Sequence, residues 1–263
     1  MLLIGGSPSM AGAIALSGLA AMRSGAGLVT LGIPESLNSV VQKKISPVLM
    51  TLGLKETKAG TISPAAFPQI QKFLKKCNCL GIGPGLTTHP QTQKFILKVI
   101  RQIELPMVID ADGLNTLAAD LKCLRANSSL KILTPHPGEM ARLTGLKKSW
   151  IEAHRIKAAE NFAVKNKCVL LLKGHRTVLA SPEGKIYINK TGNAGMAKAG
   201  SGDVLTGMIA AFLAQGLSGF EAAKWGAFLH GKAGDLAAEE ESKTALIATD
   251  IIDQIPNVFK KFK

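Results

Sequence analysis

The strongest constraint on the fold of this chain is the alternation of short apolar runs with longer amphipathic stretches. Such an alternation is typical of βαβ units, whose strands lie parallel in one sheet. The predicted strands cover 2–5, 27–33, 79–83, 106–110, 131–134 and 168–173, and a hairpin of 176–180 and 185–189 follows them. The predicted helices cover 9–24, 64–76, 90–102, 137–144, 149–166, 202–215 and 219–238. We therefore expect an α/β fold built around a central, mostly parallel sheet.

Length and composition bound the number of domains. A chain of 263 residues with 46% hydrophobic residues can bury a substantial core, which must be mostly aliphatic because aromatic residues make up only 5%. No internal repeat, low-complexity tract or linker-like change of composition interrupts the sequence. We expect one continuous domain over residues 1–263.

The net charge of +14 and the isoelectric point near 9.7 favour polyanionic partners, nucleotides among them. Nucleic acid is disfavoured, because the basic residues are scattered and few aromatic side chains are available for stacking. The densest basic cluster, Lys260, Lys261 and Lys263, is typical of a solvated helix end. No uninterrupted apolar run is long enough to span a membrane. We therefore expect that the protein neither binds nucleic acid nor crosses a membrane.

The four cysteines, Cys77, Cys79, Cys123 and Cys168, form neither a C-x-x-C pair nor a zinc-finger spacing with histidine. Cysteines used in this way are typical of core positions in a reducing compartment. We therefore expect a cytoplasmic protein, and no metal ligands are predicted from the sequence.

Several predicted strands end in glycine, proline, aspartate or histidine. These strand ends are 5–7, 83–85, 110–112, 135–137 and 173–175. Ligands bind outside the carboxyl ends of the strands in open α/β sheets, so loops of this kind at one edge would frame a cleft. The sequence therefore places the candidate site at that edge.

Residues 193–209, NAGMAKAGSGDVLTGMI, combine a glycine-rich loop with the start of a helix. Gly200 and Gly202 permit close backbone approach, and apolar residues repeat at helical spacing from Val204, which predicts a buried helix. The amino end of such a helix attracts anions, so the loop predicts an anion hole with Asp203 beside it. The alternative is that Asp203 only stabilises the first helical turn. We expect the helix start to lower the pKa of Asp203.

Two familiar phosphate-binding signatures are absent from the sequence. No G-x-G-x-x-G follows a predicted strand. Residues 226–233, GAFLHGKA, approach the Walker A spacing but carry Ala233 where a Ser or Thr should hold magnesium. That segment is predicted to be part of a helix.

Two further strand-end segments have open interpretations. His136 lies between two prolines and is either a ligand contact or part of a rigid exit from the strand. Lys173 and Arg176, within KGHRT at 173–177, either bind phosphate or belong to a solvated turn.

Taken together, a set of ordered segments resembles the ribokinase-like superfamily, and more specifically its ADP/ATP-dependent NAD(P)H-hydrate dehydratases. The segments are IGGSPSMAGA (4–13), MRSGAGLVT (22–30), GIGPGL (81–86), VIDADGLN (108–115), LTPHPGE (133–139), LLKGHRT (171–177) and NAGMAKAGSGDVLTGMI (193–209). The Gly-Ser-Gly-Asp part is shared across the superfamily, whereas TPHPGE and MAKAGSGDVLTGMI are more specific. The resemblance covers essentially the whole chain and implies a three-layer α/β/α fold with a central, mostly parallel sheet.

The resemblance implies a repair enzyme that dehydrates NADHX or NADPHX, the C6-hydrated reduced cofactors, with consumption of ADP or ATP and with Mg²⁺ bound to the nucleotide. Transferred by position, it makes Asp203 the catalytic residue and places the anion hole at Gly200, Ser201 and Gly202. It implies substrate contacts at Ala13, Gly85, His136 and Asp203. It implies an adenine-nucleotide site at Lys173, Gly174, His175, Arg176, Thr177 and Gly202.

The resemblance also implies a homo-oligomer, a tetramer or larger, and a separate NAD(P)HX epimerase as functional partner. Relatives carry a Lys-Gly-x-x-Gly segment ahead of the first strand, whereas this sequence begins at the strand itself. Two alternatives stay open: a small-molecule kinase of the same superfamily acting on a hydroxymethylpyrimidine, thiazole or sugar, and a non-catalytic nucleotide-binding protein. TPHPGE favours the dehydratase over the kinase, and the acidic Asp203 argues against the non-catalytic protein.

Overall fold

The computed structural model of the chain describes residues 1–261. Within them, one sheet contains nine strands. They are β1 (Leu2–Ile4), β2 (Thr30–Pro34), β3 (Met50–Leu54), β4 (Leu80–Ile82), β5 (Met107–Ile109), β6 (Lys131–Leu133), β7 (Val169–Leu172), β8 (Val178–Ala180) and β9 (Ile186–Ile188). Their order is β3-β2-β1-β4-β5-β6-β7-β8-β9. The strands from β1 to β7 pair in parallel, and β8 and β9 form an antiparallel extension.

Helices connect the parallel strands and follow the last strand. They are α1 (Ala11–Arg23), α2 (Asn38–Lys44), α3 (Phe67–Leu74), α4 (Pro90–Gln102), α5 (Asp112–Leu117), α6 (Pro137–Thr144), α7 (Lys148–Ala153), α8 (Arg155–Asn166), α9 (Ser201–Ala214), α10 (Gly219–Ala245) and α11 (Ala248–Lys260). Near its end α10 is kinked at Ser242, whose φ is 72°.

Successive side chains of a strand point to opposite faces, so the sheet separates two apolar cores. Leu3 of β1 faces a core with α1, α9, α10 and α11, whereas Leu2 and Ile4 face a core with the helices from α3 to α8. The parallel strands are consequently buried on both faces, which explains why they are apolar nearly throughout. This three-layer α/β/α arrangement with a mostly parallel sheet confirms the predicted fold class.

The strand order places several loops at one edge of the sheet. The order reverses at β1, because the chain first adds β2 and β3 on one side and then crosses to β4 on the other. At such a point the loops leave the carboxyl ends in opposite directions and open a crevice. β5, β6 and β7 follow side by side, so their carboxyl ends are adjacent.

All the predicted strands and helices are present, most of them with shifted ends, and the helices 90–102 and 137–144 have the predicted bounds. The sequence pattern missed β3, α2, α5 and α11. β3 is a partly exposed edge strand, and α2 and α5 are short, so periodicity is too weak to identify them. α11 carries Pro256 in its interior, a residue that usually ends a helix. The predicted helix 149–166 is divided into α7 and α8 at His154, whose φ of −127° and ψ of 42° are not helical.

Three smaller expectations can be compared with the structure. Among residues 1–261, no helix combines the length and apolar character needed to cross a membrane. All four cysteines are free, and they are buried except for Cys77, which is half-buried. The GAFLHGKA segment lies inside α10, as predicted.

α1 and α9 are in close backbone contact. Gly207 of α9 lies against the carbonyl oxygen of Ser17 in α1, and a side chain at position 207 would overlap that oxygen. The Ser17 hydroxyl also donates a 2.8 Å hydrogen bond to the carbonyl oxygen of Asp203. The contact therefore fixes the amino end of α9 relative to α1.

We expect Gly207→Ala to lower the free energy of unfolding by about 1–3 kcal/mol, because the new methyl group must push α1 away from α9. Gly12→Ala is the matched control, since Gly12 also lies in a helix and no atom is within 4 Å of a methyl group there. Equilibrium denaturation measures both variants. Equal free energies of unfolding would contradict this account of the helix contact.

Candidate functional site

A cleft of about 840 Å³ opens at the carboxyl ends of β5, β6 and β7. This volume lies within the range of about 300–1,000 Å³ that is usual for small-molecule sites. Its walls come from the strand-end residues 110–111, 136–137 and 173–177, from the segment 189–205, and from α10. The structure therefore brings together three of the strand-end loops that the sequence singled out and the glycine-rich loop.

The amino end of α9 forms one wall of the cleft. Gly200 precedes the helix with φ of 88°, and a side chain there would lie 2.7 Å from Leu16 and 2.9 Å from Ala248. Only glycine fits both the backbone conformation and the space. The first N–H groups of a helix have no acceptor within it, so this end of α9 can bind an anion in the cleft.

Lys173 extends from the end of β7 toward this helix end. Its Nζ donates a 2.7 Å hydrogen bond to Oδ1 of Asp110 and lies 3.9 Å from Oε2 of Glu139. The same Nζ is 3.3 Å from the point that a Cβ of Gly202 would occupy. Burial alone would lower the pKa of Lys173, but Asp110 and Glu139 outweigh it and the pKa is raised. Lys173 is therefore a fixed cation beside the anion hole and not part of a solvated turn.

Asp110 is the buried partner of this lysine, with 1% of its surface exposed. Its Oδ1 also accepts a 2.8 Å hydrogen bond from the Thr134 hydroxyl, and its Oδ2 accepts one of 2.8 Å from the Thr206 hydroxyl of α9. Sequence reasoning noted the loop 110–112 but gave Asp110 no role. The available signal was an aspartate directly after a buried strand.

Asp203 lies in the first turn of α9 and lines the cleft. Within the described residues, no group donates a hydrogen bond to its carboxylate. Burial first, and the negative charge of Asp110 second, raise its pKa from 3.8 to about 7, although Lys173 opposes them. The expectation of a lowered pKa was wrong, because a helix amino end contributes only about 0.3–1 kcal/mol and desolvation outweighs it.

His136 caps the start of α6, and its position is compatible with both interpretations of its sequence. Its Nδ1 accepts hydrogen bonds from the backbone N–H groups of Gly138 (2.9 Å) and Glu139 (3.2 Å), which makes the strand exit rigid. The ring also lines the cleft and is exposed. Because Nδ1 accepts, the neutral ring carries its proton on Nε2 and can donate it to a ligand. Burial and the nearby Lys173 lower the pKa of His136, although Glu139 opposes them.

The other predicted site residues fall into two groups. Gly174, His175, Arg176 and Thr177 line the cleft with Lys173, and Gly200, Ser201 and Gly202 line it opposite them. Ala13 and Gly85 do not line it; they lie together where β1 and β4 end, and a Cβ on Gly85 would be 3.3 Å from the Ala13 Cβ. Their predicted substrate contacts therefore belong to a neighbouring part of the same sheet edge.

Two further parts of the cleft escaped sequence reasoning. The segment 189–198 forms a wall of the cleft, although the sequence analysis gave none of its residues a role, and His230 of α10 also lines the cleft. The Ser201 hydroxyl is 3.4 Å from His230 Nε2. Burial, with a smaller contribution from Lys173, lowers the pKa of His230 to about 4, so its ring is neutral at pH 7. No local pattern distinguishes a buried helical histidine from one that supports a site.

The raised pKa of Asp203 implies that the stability of the protein depends on pH. Between its ordinary value of 3.8 and about 7, the native state keeps a proton that the unfolded chain has lost, so stability falls as pH rises through this range. Asp203→Asn carries no such charge. We expect its melting temperature to exceed that of the unmodified protein at about pH 8, and the difference to shrink toward about pH 5.

Thermal unfolding across this pH range measures the difference, and the exposed Asp253 of α11 supplies the control. Asp253→Asn, measured at each pH, controls for the loss of a carboxylate from the surface. A pH-independent difference for Asp203→Asn would show that the pKa of Asp203 is not raised.

The sequence and fold can be compared with known proteins. A family model described as NAD(P)H-hydrate dehydratase matches residues 1–257. A bifunctional NAD(P)H-hydrate repair enzyme from Moorella thermoacetica is 44% identical over 263 residues, which are 100% of this chain and 49% of that protein. The chain thus spans about half the length of the first curated relatives that it matches. An ADP-dependent (S)-NAD(P)H-hydrate dehydratase from Neisseria meningitidis is 37% identical, covering 94% of this chain and 80% of that protein.

Solved structures show the same fold. The ADP/ATP-dependent NAD(P)H-hydrate dehydratase from Bacillus subtilis, co-crystallised with ATP and Mg²⁺, matches with a TM-score of 0.82 and 31% identity, over 100% of this chain and 89% of that one. A ribokinase-like superfamily protein from Enterococcus faecalis matches with a TM-score of 0.83 and 27% identity, over 99% and 86%. Since the family model extends over residues 1–257 and the folds coincide, the chain belongs to the NAD(P)H-hydrate dehydratase family within the ribokinase-like superfamily.

Proposed function

We propose that this protein dehydrates NADHX or NADPHX to NADH or NADPH, with ADP or ATP as the phosphoryl donor. The observation that carries the proposal is the arrangement of Asp203, without a hydrogen-bond donor of its own, beside the amino end of α9 and the fixed cation of Lys173. The names of the relatives from Neisseria meningitidis and Moorella thermoacetica support the substrate. The nucleotide in the Bacillus subtilis structure supports the donor.

The proposed reaction turns a poor leaving group into a good one. The hydroxyl on C6 of the hydrated ring first attacks the terminal phosphoryl group of the nucleotide and loses its proton, so an O–P bond forms and the nucleotide loses one phosphate. The lone pair of the adjacent ring nitrogen then expels phosphate, and the neighbouring carbon loses a proton as the double bond forms. Water is thereby removed with conversion of ATP to ADP, or of ADP to AMP.

In this reaction Asp203 is the proposed base for the C6 hydroxyl. A carboxylate with a pKa near 7 is a better proton acceptor at neutral pH than an ordinary aspartate. Phosphoryl transfer depends chiefly on positioning and on stabilising charge at the transferred group. We assign that role to the N–H groups of Gly200, Ser201 and Gly202 and to the ammonium group of Lys173.

Mg²⁺ is proposed to enter with the nucleotide and to neutralise phosphate charge. Among residues 1–261, no three His, Cys, Asp or Glu side chains are grouped so as to hold a metal. Mg²⁺ bound to a nucleotide is held largely by phosphate oxygens and water, with one or two carboxylates. We assign no carboxylate to the ion, because the proposed reaction needs Asp203 as the proton acceptor.

The substrate contacts and the assembly of the whole protein are part of the proposal. We place the nucleotide along residues 173–177 and Gly202, and the hydrated dinucleotide at His136 with Ala13 and Gly85. We further propose a single domain over 1–263, a homo-oligomer of four or more copies, a cytoplasmic location, and an epimerase activity that supplies the reactive epimer. The +14 charge suits both polyanionic substrates.

Two other functions are compatible with the same loop. A small-molecule kinase would phosphorylate a hydroxymethylpyrimidine, thiazole or sugar and release the phosphorylated product. A non-catalytic nucleotide-binding protein would bind the nucleotide without turnover. The raised pKa of Asp203 favours catalysis, because a binding protein gains nothing from a partly buried carboxylate without a hydrogen-bond donor.

The direct test mixes the protein with NADHX, Mg²⁺ and either ADP or ATP. Recovery of the dihydronicotinamide absorbance is expected, with a rate that rises with pH through about 7 as Asp203 ionises. Asp203→Asn should lower turnover by a factor of about 10²–10⁴, the usual contribution of a positioned base, while nucleotide affinity changes little. Absence of absorbance recovery, with phosphorylation of a small alcohol instead, would favour the kinase.

We expect His136→Asn to weaken binding of the hydrated dinucleotide and to leave ADP binding unchanged. Asparagine is a good residue at the start of a helix, so it replaces the hydrogen bonds from Gly138 and Glu139 while removing the imidazole. Calorimetric titration with each ligand measures both affinities. Equal losses for the two ligands would assign His136 to the fold and not to the dinucleotide.

A further inference from the structure

One carboxylate close to the cleft has no part in the proposed reaction. Asp235 lies in the middle of α10 and is half-buried. Its Oδ2 accepts a 3.0 Å hydrogen bond from the backbone N–H of Gly192, and its Oδ1 accepts one of 3.2 Å from the side-chain amide of Asn193. Both oxygens are thus used to hold the segment that follows β9.

That segment, residues 189–200, forms a wall of the cleft, and its conformation depends on hydrogen bonds to neighbouring residues. It contains a short 3₁₀ helix (Ala194–Met196), and Gly192 has φ of 96°. Asn193 links the segment to α10. Its side-chain oxygen accepts a 2.9 Å hydrogen bond from the Gly195 N–H, and its side-chain amide donates one of 2.8 Å to the Gly234 carbonyl oxygen. Loops without their own secondary structure keep one conformation only where such bonds are made.

The face of α10 that contacts the segment has glycines at the points of closest approach. A side chain at Gly234 would overlap Met196, and a side chain at Gly231 would overlap Thr191. At the far end of the segment, the Lys198 ammonium donates to the carbonyl oxygens of Thr244 and Leu246. The segment therefore lies directly on α10, with Asp235 as the acidic side chain that anchors its middle.

We infer that Asp235 is a positioning residue for the nucleotide: it holds residues 192–193 so that the cleft wall is formed before the nucleotide binds. This inference rests on the proposed nucleotide site, because the same wall lines the cleft with Lys173 and Gly202. Asp235 itself does not line the cleft. A wall formed in advance spares the bound state the cost of ordering it, so loss of Asp235 should act on nucleotide affinity and not on the chemical step.

Asp235→Asn tests the inference with a side chain of nearly the same shape. The asparagine amide has one oxygen and one NH₂ group, so it can accept from only one of the two donors, the Gly192 N–H or the Asn193 amide. Its NH₂ group then faces the other donor, and one hydrogen bond to a charged acceptor is lost. We expect ADP with Mg²⁺ to bind about tenfold more weakly by calorimetry, with kcat changed less than about threefold. Glu239→Gln is the control, since Glu239 is exposed one turn further along the same helix.

Exchanging the two side chains sharpens the test. In Asn193→Asp with Asp235→Asn, the new amide at 235 can donate to the new carboxylate at 193, while the bonds to the Gly192 and Gly195 N–H groups are kept. We expect the double variant to bind ADP at least about threefold more tightly than the product of the two single effects predicts. Effects that simply multiply would show that the pair does not cooperate and would overturn the inference.

Hydrogen exchange without nucleotide supplies a readout that does not depend on catalysis. In Asp235→Asn, residues 190–198 should exchange faster, whereas the core strands β5 and β6 and the melting temperature should change little. Unchanged exchange and affinity would overturn the inference even if the protein dehydrates NADHX. Faster exchange and weaker ADP binding would support it even if NADHX proved not to be the substrate, so the two proposals fail separately.

Discussion

The buried carboxylate of Asp110 is the constraint on which the rest of the site depends. A charge with 1% exposure is stable only when it is paired and fully hydrogen-bonded. Lys173 at the end of β7, Thr134 after β6 and Thr206 in α9 all donate to it. One carboxylate therefore joins three strand ends to the helix whose amino end forms the anion hole. Removing it would leave the Lys173 ammonium buried beside Glu139 alone, without its closest partner.

Asp110 and Asp203 lie in different environments, which suit them to different roles. Asp110 accepts hydrogen bonds from Lys173, Thr134 and Thr206 and has a structural role. Asp203 receives none within the described residues, and the charge of Asp110 adds to its desolvation. A carboxylate whose pKa is raised by burial and by a neighbouring negative charge is characteristic of sites that need a proton acceptor near neutral pH. The two neighbouring aspartates therefore differ in hydrogen bonding: Asp110 is held by three donors, whereas Asp203 faces the cleft.

Much of the fold could be predicted from the sequence, because buried parallel strands are continuous apolar runs and because glycine, proline and aspartate mark their ends. The same patterns located Gly200, His136 and Lys173 at one sheet edge. They failed for β3 and α5, where the elements are too short for periodicity, and for α11, where Pro256 lies inside the helix. The resemblance grouped Ala13 and Gly85 with His136, and the structure places them outside the cleft, on a neighbouring part of the same sheet edge.

By itself, the sequence determined the fold class, the edge of the sheet that carries the cleft, and the glycine-rich helix start with its acidic residue. These properties are local, since they depend on side-chain periodicity and on residues near one another in the chain. Only the tertiary structure decided the pKa of Asp203, the pairing of Lys173 with Asp110, and the anchoring of residues 192–193 by Asp235. Desolvation and charge are set by whatever lies nearby in space, and here the decisive neighbours come from distant parts of the chain.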